Sequence, residues 1–228
     1  MIKVSLSGAF ELSKGGESIE LSVPAQRVLA FLALHDDAVD RGRVSAVLWR
    51  GSSSERAAGS LRSALWRIRR CGEFIVGVTS RGLQLSPAVR VDVREAVAWA
   101  RRIADVSHSI DDDDLRLALN GGDLLPDWED DWVVVERERL RQLRLHALEV
   151  LSQRLARIGR HADAIEVGLA ALRNEPLRES AHRAVISVHL AEGNPSEALR
   201  HYGRFRELLR AELGLEPSPL IKELVGVA

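Results

Sequence analysis

Residues 52–74 read SSSERAAGSLRSALWRIRRCGEF and set five arginines, Arg56, Arg62, Arg67, Arg69 and Arg70, against one early acid, Glu55. A guanidinium is a planar, permanently charged fork of donors that matches phosphate oxygens and the O6 and N7 acceptors of guanine. Such a run is either a solvated helix face or a surface that reads nucleic acid. On a helical wheel, Ala57, Leu61, Ala64, Leu65 and Ile68 share one arc, and Arg56, Gly59, Ser63, Arg67 and Arg70 fall opposite. If the helix enters a groove, Arg56, Ser63 and Arg67 face it, while Arg62 and Arg70 reach phosphates. Arg69 is better placed to pair with an acid, and Trp66 to pack against a neighbouring element.

Other residues invite chemistry and support less of it. Four aspartates at 111–114 suit a hard cation, but they lack the glycine and terminal glutamate of an EF-hand loop, so a solvated loop or helix N-terminus is expected. His161 lies two residues before Asp163 without an H-E-x-x-H pattern or a matching cysteine set. Trp128 and Trp132 flank EDD and read as anchors for their loop rather than a ligand cage. Cys71 is the one cysteine, which excludes an intrachain disulfide. Neither G-x-S-x-G nor G-x-x-x-x-G-K-[ST] occurs. No enzyme activity, no catalytic residue, no cofactor and no metal is expected.

The elements that must position the arginines are legible on both sides. IKVSLSGAFEL and SIELSV are β-type runs around the turn-forming SKGGE. From Pro24, apolar residues at helical spacing predict a helix ending near Asp36 or Asp37, and DRGRVSAVLW predicts a second with Val44, Val47 and Leu48 inward. Ser54 is the expected N-cap of the arginine helix. FIVGV and LQLS then flank TSRG, a hairpin with Gly82 in the turn and Arg81 near its tip. Helix, helix, basic amphipathic helix and hairpin form a winged helix-turn-helix, in which the third helix can enter the major groove and the wing can touch the flanking backbone. Arg81 would then meet the minor groove or a phosphate, or simply keep the turn soluble, and of Arg41, Arg43 and Arg50 around the second helix one or two would contact phosphates, with plain surface charge an equal alternative.

Beyond PAVRVDV the pattern is helical: a segment REAVAWARRIAD, a short helix near 115–119, and a long helix beginning at WVVVERERL. Gly159 and Ala164 recur 34 residues later as Gly193 and Ala198, which is the tetratricopeptide period. The expected fold is mainly α with small β elements, a winged helix-turn-helix domain at 1–90 followed by an all-α tetratricopeptide-like repeat domain at 91–228. Charge divides the same way. The chain carries −1 overall, yet residues 1–90 carry +5 and residues 91–228 carry −6. A basic segment before an acidic one is expected where one half meets an anion. With no signal-peptide h-region and no long apolar run, the expected address is cytoplasmic and without membrane contact.

Four blocks, LWRGSSSERAAGSLRSALWRIRR, VDVREAVAWAR, GGDLLPDWEDDWVVVERERLRQL and LRAELGLEPSPLIKEL, together resemble the short form of the Streptomyces antibiotic regulatory protein family. In that family an OmpR-type winged helix precedes a bacterial transcriptional activation domain of tetratricopeptide-like helices. The wing here has Gly82-Leu83 where the family often has Gly-Tyr. The resemblance implies an activator that binds direct repeats in double-stranded DNA near promoters as a side-by-side pair and recruits RNA polymerase, in the setting of secondary-metabolite genes. Two rival readings are an interaction scaffold whose winged domain no longer reads DNA and a regulator that responds to a small ligand.

Overall fold

The computed structural model describes residues 1–72 and 74–226. It divides into two compact units, one of residues 1–96 with 122–140 and the other of residues 97–121 with 141–228.

In the first unit, strands β1 (Ile2–Ser5), β2 (Glu11–Lys14), β3 (Glu17–Ser18) and β6 (Val89–Val91) form one sheet in the order β3-β2-β1-β6. The first β-type run of the sequence splits into β1 and β2 around Gly8, whose φ of +94° turns the chain. β1 pairs antiparallel with β2 and parallel with β6. The Asp92 carboxylate accepts from the backbone N–H groups of Leu6 and Ser7 and so closes the end of β1.

Helix α1 (Val23–Ala33) buries Val28, Leu29 and Leu32. It ends three or four residues before the expected Asp36 or Asp37. The Arg94 guanidinium donates to the carbonyls of Leu32, Ala33 and His35, satisfying orphan acceptors at the helix end. Helix α2 (Arg41–Leu48) is capped by Asp40, whose side chain accepts from Arg43 N. Helix α3 (Ser54–Cys71) follows, with Ser53 and not Ser54 as its N-cap, the Ser53 hydroxyl accepting from Arg56 N. Strands β4 (Val76–Thr79) and β5 (Gly82–Leu85) form the hairpin. Val39 joins it as a third rung, exchanging two 2.8 Å backbone hydrogen bonds with Leu83.

Residues 122–140 complete this core. Leu124, Leu125 and Val133 are at most 3% exposed within it. Trp132 meets Phe31 edge-on at 5.3 Å, and Trp128 stacks with Phe10 at 6.2 Å. Arg137 holds the loop by donating to the carbonyls of Leu124, Leu125 and Trp128.

The second unit takes its helices from the ends of α4 (Asp92–Ala104) and α6 (Asp131–Arg157), with α5 (Asp112–Leu119), α7 (His161–Asn174), α8 (Glu179–Ala191), α9 (Pro195–Leu213) and α10 (Pro219–Val225). Helix α5 begins before the expected residue 115 because Asp111 and Asp114 form a reciprocal capping box. Asp114 is 1% exposed and accepts from His108 Nε2, so the aspartate run starts a helix. Gly159 and Gly193 both sit at positive φ just past a helix end, and Ala164 and Ala198 are both fully buried. The period of 34 is thus structural: two helix pairs turn at equivalent glycines and cross at equivalent alanines.

Between α8 and α9, His182 donates from Nε2 to the Pro176 carbonyl and its Nδ1 lies 2.9 Å from His201 Nε2. Desolvation lowers the pKa of His182 against the opposing pull of the Pro176 carbonyl and Glu179. It also brings His201 down to about 4, with His182, His189 and Arg204 adding repulsion. The fold therefore favours the neutral rings, and the His201 contribution is complete above the unfolded value of about 6.5 and lost as pH falls toward about 4. His201 keeps part of its ring in water, so solvent screening holds the loss to on the order of 1–2 kcal/mol. Denaturant unfolding at pH 7.5 and pH 4.5 should show this loss, and His201→Gln should flatten the difference. An equally steep decline in His201→Gln would assign the effect to other groups.

Candidate nucleic-acid interface

Helix α3 presents two chemistries on opposite sides. Ala57, Leu61, Ala64 and Ile68 recur at i, i+4, i+7 and i+11 and are all buried, which fixes the helix rotation in the unit. That rotation leaves Arg56, Arg62, Ser63, Arg67 and Arg70 exposed. Among the described residues, none of these four arginines has an ion-pair partner, and neither does Arg81. A charged face without internal acids keeps its guanidinium donors available to an external anion.

The outward surface is divided. Arg56, Ser63 and Arg67 line one open groove along α3, together with Gly59 and Ser60, and across it with Trp49 and Pro24. Arg56 and Arg67 are three turns apart, about 16 Å along the axis. Arg62 lines a second hollow with Arg41, Arg69, Trp66 and the β4 residues Val76 and Val78. Trp66 is 58% exposed, and the Arg70 guanidinium lies 5.0 Å from its ring centroid. The expectation that Trp66 packs against a neighbour is met only at the edge of this hollow, because the ring faces outward and Arg70 covers part of it. Arg69 also departs from expectation, having no acid partner among the described residues.

Arg81 occupies the turn of the wing, where its backbone N–H donates to Thr79 Oγ1. Its side chain is exposed and lines neither groove. Arg50 pairs at 2.5 Å with Asp131, both side chains being more than two-thirds exposed, and Arg27 pairs with Asp130. From sequence Arg50 could be a phosphate contact or plain surface charge, and the acid that pairs with it was not legible, because 81 residues separate the partners. Trp49, Gly59 and Ser60 were also missed as groove residues. For Gly59 a signal existed, since the wheel places it on the arginine side of α3.

A winged helix-turn-helix with a basic third helix, in a chain continuing into stacked helix pairs, is an architecture able to present a helix to a DNA groove. The Bacterial transcriptional activator domain family matches residues 89–226, and the chain belongs to that family as a regulator of the Streptomyces antibiotic regulatory protein type. The family is one of transcriptional regulators and not an enzyme class. The chain is 27% identical to Regulatory protein AfsR of Streptomyces coelicolor and 24% identical to Regulatory protein AfsR of Streptomyces griseus, each across 98% of its own length. It spans 24% of the length of each of those relatives. Its fold is similar to that of Mycobacterium tuberculosis EmbR, solved in complex with low affinity phosphopeptide. The TM-score is 0.79 at 20% identity, covering 99% of this chain and 64% of that one. Among the described residues, no helix is long and apolar enough to cross a membrane.

Proposed function

We propose that the chain binds double-stranded DNA through α3 and activates transcription by recruiting RNA polymerase, acting as a pair of copies on direct repeats. The carrying observation is the face of α3: Arg56, Ser63 and Arg67 line one groove opposite the core, and among the described residues the two arginines have no ion-pair partner. In this reading those three side chains meet base edges in the major groove. Arg62, Arg70 and Arg81 then reach phosphates on either side. The segment from residue 91 to 228, at −6, gains little near phosphate and is suited to a basic protein surface. The action is at the nucleoid in the cytoplasm, and secondary-metabolite genes are the proposed targets.

Duplexes selected by the full chain from a random pool provide the test. Arg67→Ala should weaken the selected site by about 1–3 kcal/mol and relax one base position, while Arg62→Ala should weaken all sequences alike. Folding of both variants is checked by circular dichroism. Affinity should fall with salt at a log–log slope of roughly −4 to −5 per protomer, for about four to six neutralised phosphates. A slope near zero would favour the scaffold reading, and an Arg67→Ala chain with wild-type affinity and motif would mean that α3 is oriented differently.

A further inference from the structure

A glycine in the middle of a long helix normally answers a demand of the fold, because it destabilises the helix relative to alanine. Gly168 in α7 has such a demand: a Cβ there would lie 2.7 Å from Val185 Cγ2. Gly59, at the sixth position of α3, has none, and neither has Gly203 in α9, so what sets Gly59 apart is the arginine-lined groove on which it lies. Its φ is not positive, so no left-handed turn requires it. An added Cβ would meet only the Arg62 Nη2 at 3.7 Å, an ordinary contact with the end of a flexible side chain. On the helical wheel Gly59 points almost directly away from the buried arc of Ala57, Leu61, Ala64 and Ile68. It lies on the open groove that Arg56, Ser63 and Arg67 also line.

We infer that Gly59 is a specificity-determining position, a bare stretch of helix backbone against which the edge of a base pair closes in the major groove. The inference rests on the DNA reading above and deepens it. Gly59 lies one turn after Arg56 and one turn before Ser63, about 4.5 and 6 Å along the axis. The base pair facing it is therefore intermediate between those that Arg56 and Ser63 reach. A side chain there would hold α3 off the groove floor and lengthen every base contact on either side. Phosphate contacts reach around the helix on long arginine stems and would be retained.

Stability and recognition should consequently move in opposite directions in one variant. Gly59→Ala should raise the thermal midpoint by about 2–4 °C through helix propensity. In the full chain, the same variant should bind the duplex selected by wild type about tenfold more weakly, and Gly59→Leu more weakly still. Binding of both to a random-sequence duplex at low salt should stay within about twofold of wild type, because that mode uses phosphates. Gly203→Ala in α9, where an added Cβ meets nothing within 4 Å, is the matched control. It should gain stability without changing affinity for either duplex. A Gly59→Leu chain that binds the selected duplex as tightly as wild type and selects the same motif overturns the inference and leaves the DNA reading intact. A wild-type chain that selects no motif overturns the DNA reading, and this inference with it.

Discussion

A chain ending at residue 96 is expected to lose cooperative folding, although it contains every element of the winged helix. The first unit is completed by residues 122–140, which place Leu124, Leu125 and Val133 in its core and Trp128 and Trp132 against Phe10 and Phe31. Each fully buried apolar side chain contributes about 1.5–3 kcal/mol, so losing this set removes an amount comparable to the whole stability of a small domain, about 5–15 kcal/mol. Ion-pair partners of Arg27 and Arg50 go with it. The fragment should show a broad thermal transition and bind a hydrophobic dye. A synthetic peptide of residues 122–140 should restore a sharp transition. If the fragment unfolds cooperatively at the midpoint of the full chain, this segment contributes little to the first unit.

Replacing Gly82 by alanine should be the most damaging single substitution in the wing. Gly82 has a φ of +135°, which L side chains rarely adopt, and its added Cβ would stand 2.1 Å from the Val39 carbonyl oxygen. The obstacle is backbone and cannot rotate away. Relief requires β5 to leave Val39, breaking the two hydrogen bonds that Val39 exchanges with Leu83. Asp40, the N-cap of α2, is the next residue, so the damage passes to the helix-turn-helix. The combined strain and lost bonds should cost about 3 kcal/mol or more. Denaturant unfolding of Gly82→Ala measures it. Gly77→Ala on the facing strand is the comparison, because its Cβ meets the Gln84 carbonyl at 3.7 Å. A loss below about 1 kcal/mol for Gly82→Ala would show that the wing adjusts independently of α2. On the DNA reading proposed above, specific binding should fall with stability, since Arg81 is carried by the same turn.

Much of the arrangement was legible because it is written in regular spacing along the chain. The buried face of α3 follows from apolar residues three and four apart, and its arginine face follows by subtraction. The hairpin was marked by TSRG, and the helical repeat by glycines and alanines 34 residues apart. Errors cluster where a distant group decides a local choice. Helix α1 stops at Ala33 because Arg94, 61 residues on, takes its last carbonyls. Strand β6 is only three residues, too short for its alternation to stand out, and it exists because β1 offers it a parallel edge. The cap of α3 fell to Ser53 among three consecutive serines of nearly equal local preference.

By itself the sequence determined the approximate helical segments and which face of α3 is charged, since these depend on contacts within a few turns of chain, and it disclosed the repeat because equivalent glycines and alanines recur at a fixed period. Only tertiary structure decided that Trp128 and Trp132 close the core of the first unit, that Asp131 holds Arg50, and that Gly59 answers to nothing inside the fold. Those outcomes depend on which apolar surfaces and charges meet across tens of residues. An amphipathic pattern states that a face must be covered but does not name the segment that covers it.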